Sequence, residues 1–219
     1  MKNNSGKSCE LKSFYDEREV RLSKHILPLP LLYKSLDEQL LKYEIAYKPN
    51  ELFSYIDKIV GLNYEHPGLT PEQYLLHPFR VAKILVAYSS ETSFDQVKLA
   101  LAHNIIEVVS NSSSSIKEIV TTSIYKKIKL LTVDRSLQWD WSYKKDYYQK
   151  LEKSISTSKV KVVDKLDNIF LLDQNPDIEV KRKYIYEIES FVIPLTNKVL
   201  PNLEKYFTSS MQIVKNSIY

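Results

Sequence analysis

The chain has 219 residues, of which 43% are hydrophobic and 26% charged, a composition ordinary for a globular domain with a real core. Only 3 glycines are present, which argues against Gly-rich phosphate loops, dinucleotide-binding folds and turn-dense β-sandwiches. The formal net charge of +4 is spread among acidic residues, with short basic clusters only at Lys126-Lys127-Ile128-Lys129 and Lys181-Arg182-Lys183; it reads as solvated helix faces or attraction to a small anion before nucleic-acid binding.

Met1-Lys2-Asn3-Asn4-Ser5-Gly6 leads into no apolar segment, so no secretory signal is expected. Cys9 is alone, which leaves neither a disulfide framework nor a thiolate metal site and fits a reducing, cytoplasmic setting. Residues 1–35, polar and then interrupted by Pro28 and Pro30, read as an appended arm outside the core. From Leu36 onward the apolar period is helical. Residues 36–219 therefore read as one all-α domain, with a motif-bearing core at 52–172 and C-terminal helices over 178–219.

Thr70-Pro71-Glu72-Gln73 is a helix start, with Thr as N-cap, Pro at the first helical position and Gln completing a capping box. Pro78 is expected to break that helix and restart it, leaving His77 at a junction outside helical backbone geometry. Ser93-Phe94-Asp95-Gln96 opens a second helix whose Phe94, Val97, Leu101, Ile105 and Val108 recur every three to four residues. The run Ser110-Asn111-Ser112-Ser113-Ser114-Ser115 reads as a flexible loop. Further helices are predicted over 125–133, 143–155, 160–172 and 183–206, the last bent near Pro194 and Pro201. No period-two strand is evident, and no apolar run is long enough to span a bilayer.

Three polar insertions in these apolar helices are candidates for chemistry. His77 lies before Pro78, and His103 interrupts Leu99-Ala100-Leu101-Ala102-His103-Asn104-Ile105-Ile106-Glu107, with Glu107 one helical turn further on the same face. Asp164 and Asn168, also four apart, lie on a helix apolar around most of its circumference. A carboxylate placed there needs a metal ion or a lysine as partner. Each of these taken singly is more often a hydrogen-bonded core residue than a ligand. Order and spacing make the set informative.

His77-Pro78-Phe79-Arg80-Val81-Ala82, Leu101-Ala102-His103-Asn104-Ile105-Ile106-Glu107 and Lys161-Val162-Val163-Asp164-Lys165-Leu166-Asp167-Asn168 together resemble the signature of HD-superfamily phosphohydrolases. The pattern is most similar to that of RelA/SpoT-type alarmone hydrolases, whose helices read His-Pro-x-x-Val-Ala, Ala-x-Leu-Leu-His-Asp and Lys-Leu-Ala-Asp-x-x-x-Asn. The approach Gly68-Leu69-Thr70-Pro71 and the stretch Leu131-Thr132-Val133-Asp134-Arg135 followed by Tyr147-Tyr148 also look like that family. Two departures stand out. Asn104 replaces the aspartate of the His-Asp pair, and Val108 replaces the aspartate of a Glu-Asp pair, although Glu followed by an apolar residue occurs in the HD-type 5′-deoxynucleotidases.

The resemblance implies a helical HD domain holding one divalent ion, Mn²⁺ first among them, through His77, His103 and Asp164, with Asn104 as a weak neutral fourth ligand. Glu107 would orient or deprotonate the attacking water. Lys161 and Asn168 would line a nucleotide pocket, although Lys161 also reads as a solvated helix lysine. Arg80 and Lys144 are candidate phosphate contacts or plain surface residues. The implied reaction is removal of the 3′-pyrophosphate from guanosine tetra- or pentaphosphate. The alternatives are a 5′-nucleotidase-like phosphatase and a decayed site that binds a nucleotide without turnover. No synthetase half is expected after the last helix, and Trp139 and Trp141 read as packing at a helix junction before a cap on the pocket.

Overall fold

A computed structural model describes residues 28–66, 69–111, 113–170 and 172–218. Among these residues the regular structure is helical, and extended pairing is confined to a single antiparallel bridge between Tyr64 and Val109. Residues 1–27 of the expected arm lie outside the described residues, as do Gly68 and Ser112. Among the described residues no helix is long and apolar enough to cross a membrane.

Helix α1 (Leu29–Lys42) begins inside the segment that the sequence assigns to the arm. The prolines that read as interruptions of the arm open a helix, with Pro30 in its first turn, where no backbone N–H is needed. Leu32, Tyr33, Leu36 and Leu40 face inward. The Tyr33 hydroxyl donates to Asp57 at 2.6 Å, tying α1 to α2 (Pro49–Val60). Residues 29–35, read from the sequence as part of the arm, are thus helical and packed on the body.

Helix α3 (Pro71–Tyr88) has the capping box read from Thr70 and Gln73, but it runs unbroken through Pro78. An interior proline costs about 3 kcal/mol. Burial of Leu75, Leu76, Phe79, Val81 and Leu85, at roughly 1.5–3 kcal/mol each, offsets that cost. His77 is therefore helical, and its direction is set by α3 and not by a junction.

The next helix stops earlier than its period predicts. Helix α4 (Phe94–Ala102) ends before His103, and α5 (Ile105–Val108) is a separate short turn. The His103 ring is the cause: its Nδ1 donates to the Ala100 carbonyl at 2.7 Å, competing with the helical ladder, while Asn104 sits at φ −106°, ψ 2°. The serine run is not wholly loop either. Helix α6 (Ser113–Ile119) begins within it and buries Ile116.

Helices α7 (Thr122–Leu131) and α8 (Trp141–Leu151) follow, the latter capped by Asp140, which accepts from the Tyr143 N–H. Helix α9 (Ile155–Ile169) is the axis of the molecule, packing on α3, α4, α7 and α8 and burying Val160, Val162, Val163 and Ile169. Helix α10 (Ile178–Glu187) starts at an Asp177 cap and passes through a π turn at residues 188–192 into α11 (Ile193–Val199). The π turn falls where Pro194 cannot donate to the Ser190 carbonyl. A 3₁₀ turn at Pro201–Leu203 then leads to α12 (Glu204–Asn216), so both predicted bends are present. Helices α11 and α12 pack against the remaining face of α9.

Candidate metal centre

Three helices deliver one residue each to a common point beside α9. His77 comes from the middle of α3, His103 from the end of α4, and Asp164 from α9. The His77 Nε2 lies 3.1 Å from His103 Nε2 and 3.3 Å from Asp164 Oδ1, and His103 Nε2 lies 3.5 Å from the same oxygen. Two donors each about 2.1 Å from one ion and at right angles to each other are about 3.0 Å apart. The triangle therefore fits a single cation capping its face, and these three form a cluster able to hold one. His103 and Asp164 are sealed from solvent, whereas the His77 side chain keeps 11% exposure, so the centre opens on one side.

Each ligand is fixed from behind. His103 donates through Nδ1 to the Ala100 carbonyl, which leaves Nε2 aimed at the cluster. Asp164 accepts from Lys161 Nζ at 2.8 Å and Asn168 Nδ2 at 2.7 Å. Burial opposes charge on Asp164, but Lys161 and the two imidazoles overcome it and hold the carboxyl well below its ordinary range. Burial likewise works against charge on Lys161, and Asp164 reverses it. Lys161 is thus buried, which removes the reading of it as a solvated lysine. His77 resists charge through burial, yet its hydrogen bonds to Asp164 and Asp167 push it up to about 9.

The Asn104 amide reaches the same point, with Nδ2 3.4 Å from His77 Nε2. Rotated by half a turn, it would present its carbonyl oxygen, a neutral donor suited to a hard divalent ion. Glu107 is displaced from the simple one-turn relation to His103 by the break at Asn104. Its Oε1 accepts from the Val133 N–H at 2.9 Å and its Oε2 pairs with Arg135 at 2.8 Å. It still borders, with Asn104, Lys161 and Asp164, a recess of about 50 Å³.

That recess adjoins a cleft of about 280 Å³ lined by His66, Tyr74, His77, Arg80, Arg135 and Tyr184. Arg80 and Lys144, the two candidate phosphate contacts, are each engaged in an ion pair. Arg80 donates through Nε and Nη2 to the two oxygens of Asp167. Lys144 is no surface residue: it is 1% exposed and donates to Glu187 at 2.8 Å, sharing that carboxylate with Tyr148 and Lys165. Sequence reasoning passed over Asp167 and Glu187. The available signals were Arg80 and Asp167, each three residues beyond a metal-binding candidate on its helix, and an acidic residue between Ile185 and Ile188.

No family model matches the chain, and no curated protein matches it. Among solved structures it is similar to a metazoan ortholog of SpoT that hydrolyses ppGpp, with a TM-score of 0.57 and 20% identity over 76% of this chain and 97% of that one. The two share a fold. The all-α, HD-type architecture expected from the motifs is thereby shown, and the pairing of His77, His103 and Asp164 comes from this chain's own geometry.

Proposed function

We propose that the protein is a metal-dependent phosphohydrolase that removes the 3′-pyrophosphate from guanosine tetra- or pentaphosphate. The observation that carries this reading is the convergence of His77, His103 and Asp164 on one point, with His77 also lining a cleft of about 280 Å³. The fold shared with a protein that hydrolyses ppGpp supports it.

A divalent ion, Mn²⁺ in this reading, supplies Lewis acidity that lowers the pKa of water and polarises a phosphoryl oxygen. His77, His103 and Asp164 hold it, with the Asn104 carbonyl as a weak fourth donor. Glu107 takes the proton of the attacking water as oxygen bonds to phosphorus, and that proton passes to the sugar oxygen as its bond to phosphorus breaks, so the nucleoside leaves as the 3′-alcohol. For that, Arg135 must leave Glu107, and a substrate phosphate is the natural anion to draw it away. Lys161 and Asn168 keep Asp164 ionised and oriented beside the nucleotide.

Turnover of guanosine tetraphosphate and a nucleotide panel in Mn²⁺ tests the proposal. Glu107→Ala is expected to lose about 10²–10⁴-fold in kcat, the usual worth of general acid–base catalysis. Cleavage of 5′-monophosphates alone would move the substrate to the 5′-nucleotidase-like class, which Val108 after Glu107 favours. A second reading, nucleotide binding without catalysis, draws on the neutral Asn104 and on the pairing of Glu107 with Arg135. Nucleotide binding with turnover equal to that of Glu107→Ala would establish it and sink the first.

A further inference from the structure

The two imidazoles of the centre are backed differently. His103 donates through Nδ1 to a backbone carbonyl, whereas His77 donates through Nδ1 to the Asp167 carboxylate at 2.7 Å. Asp167 is itself held at both oxygens: Arg80 Nε meets Oδ1 at 2.7 Å and Arg80 Nη2 meets Oδ2 at 2.8 Å. All three side chains lie between α3 and α9, and Asp167 is buried. Such a two-pronged clamp fixes the plane of the carboxylate as well as its position. The resemblance to alarmone hydrolases leaves positions 80 and 167 unspecified, so it assigns them no role.

An imidazole that donates through Nδ1 to a carboxylate presents the Nε2 lone pair on its opposite edge, and the partner's negative charge makes that lone pair a stronger donor. In this chain the opposite edge faces His103 Nε2 and Asp164 Oδ1. The ligand set itself contains only one carboxylate, because residue 104 is Asn. A carboxylate behind His77 returns negative charge to the centre without occupying a coordination position.

We propose that Asp167, clamped by Arg80, is a positioning residue that aims His77 at the ion and supplies, through the imidazole, the charge that Asn104 withholds. The proposal rests on the metal-centre reading above. It also assigns Arg80 to the centre's support and not to a substrate phosphate.

Calorimetric titration of the full chain with Mn²⁺, with free Mn²⁺ followed in parallel by electron paramagnetic resonance, measures the effect. Asp167→Asn, which keeps the shape and a hydrogen-bond acceptor but loses the charge, is expected to weaken Mn²⁺ binding by about tenfold, and Asp167→Ala by up to about a hundredfold. Because either change strands Arg80, the double variant Arg80→Gln/Asp167→Asn is titrated beside them; it leaves no unpaired charge and is expected to lose about as much as Asp167→Asn. Thermal melts in chelator check that the metal-free fold persists, a property a merely structural role would alter first. Wild-type Mn²⁺ affinity in both Asp167→Asn and the double variant overturns the proposal. A wild-type chain that takes up no Mn²⁺ overturns the metal centre itself, and this inference with it, a result readily told apart from the former.

Discussion

At position 104 a neutral amide stands where the resembled pattern has a carboxylate, so the candidate ligands would bring one formal negative charge, on Asp164, to a divalent ion. Cation affinity at oxygen-rich sites rises with the number of charged ligands. Asn104→Asp, almost isosteric, should therefore tighten Mn²⁺ binding by about tenfold or more. The same change sets a carboxylate beside the His77 imidazole in the metal-free chain, so its melting temperature in chelator should hold or rise. Titration and melting of the one variant read both effects. Equal affinity with and without the new charge would mean that residue 104 does not face the ion. A rise in turnover alongside the rise in affinity would mark the wild-type centre as limited by metal occupancy.

Helix α9 carries Lys161, Asp164, Asp167 and Asn168 toward the centre, while Lys165 reaches Glu187 at the end of α10. Glu187 also accepts from Lys144 and Tyr148 on α8, so one buried carboxylate joins three helices. Burial opposes its charge, but Lys165 and Lys144 hold it down at about 2; Lys144 is itself pulled to about 8, chiefly by burial and by repulsion from Lys165. Because the folded value for Glu187 lies below the ordinary 4.5, its contribution is whole above about pH 4.5 and is lost as pH falls toward 2. Lys144 acts over a different window, adding stability as pH rises from 8 toward 10.5, where the unfolded chain binds more protons. Glu187→Gln strands two buried lysines and should cost about 3–5 kcal/mol at pH 7, with the gap to wild type narrowing below pH 4. Denaturant melts at pH 7, 4.5 and 3 measure it; an unchanged gap at pH 3 would show that the carboxylate's charge is not what joins the helices. None of this network is legible along the chain, since Lys144 and Glu187 meet only through the packing of α8 on α9 and α10. What is legible is whatever repeats locally: the capping boxes at Thr70 and Ser93, the apolar period of α9, and the order of His77, His103 and Asp164. The continuity of α3 through Pro78 and the break at His103 escape such reading because burial of one helix and a ring-to-carbonyl bond in the other override local preference.

Over the whole molecule, the three candidate ligands lie 26 and 61 residues apart in sequence and meet only when α3, α4 and α9 pack around a shared core. An unfolded chain offers no such cluster, so an ion bound at this point binds the native state alone and stabilises every element that depends on that packing. At a hundredfold excess over its dissociation constant the ion adds about 2.7 kcal/mol, and for a body of this size each kcal/mol raises the midpoint by about 2–4 °C. Mn²⁺ should therefore lift the melting temperature by about 5–10 °C over that in chelator. His103→Ala should abolish the lift, because it removes a ligand from the sealed side of the triangle, where no water can readily take its place. The helices distant from the centre, α1 and α12 among them, should melt together with it in both conditions if α9 couples the body as its contacts indicate. Identical midpoints in Mn²⁺ and in chelator would mean that the two imidazoles and the carboxylate, near as they are, stabilise one another as a buried polar cluster and hold no metal.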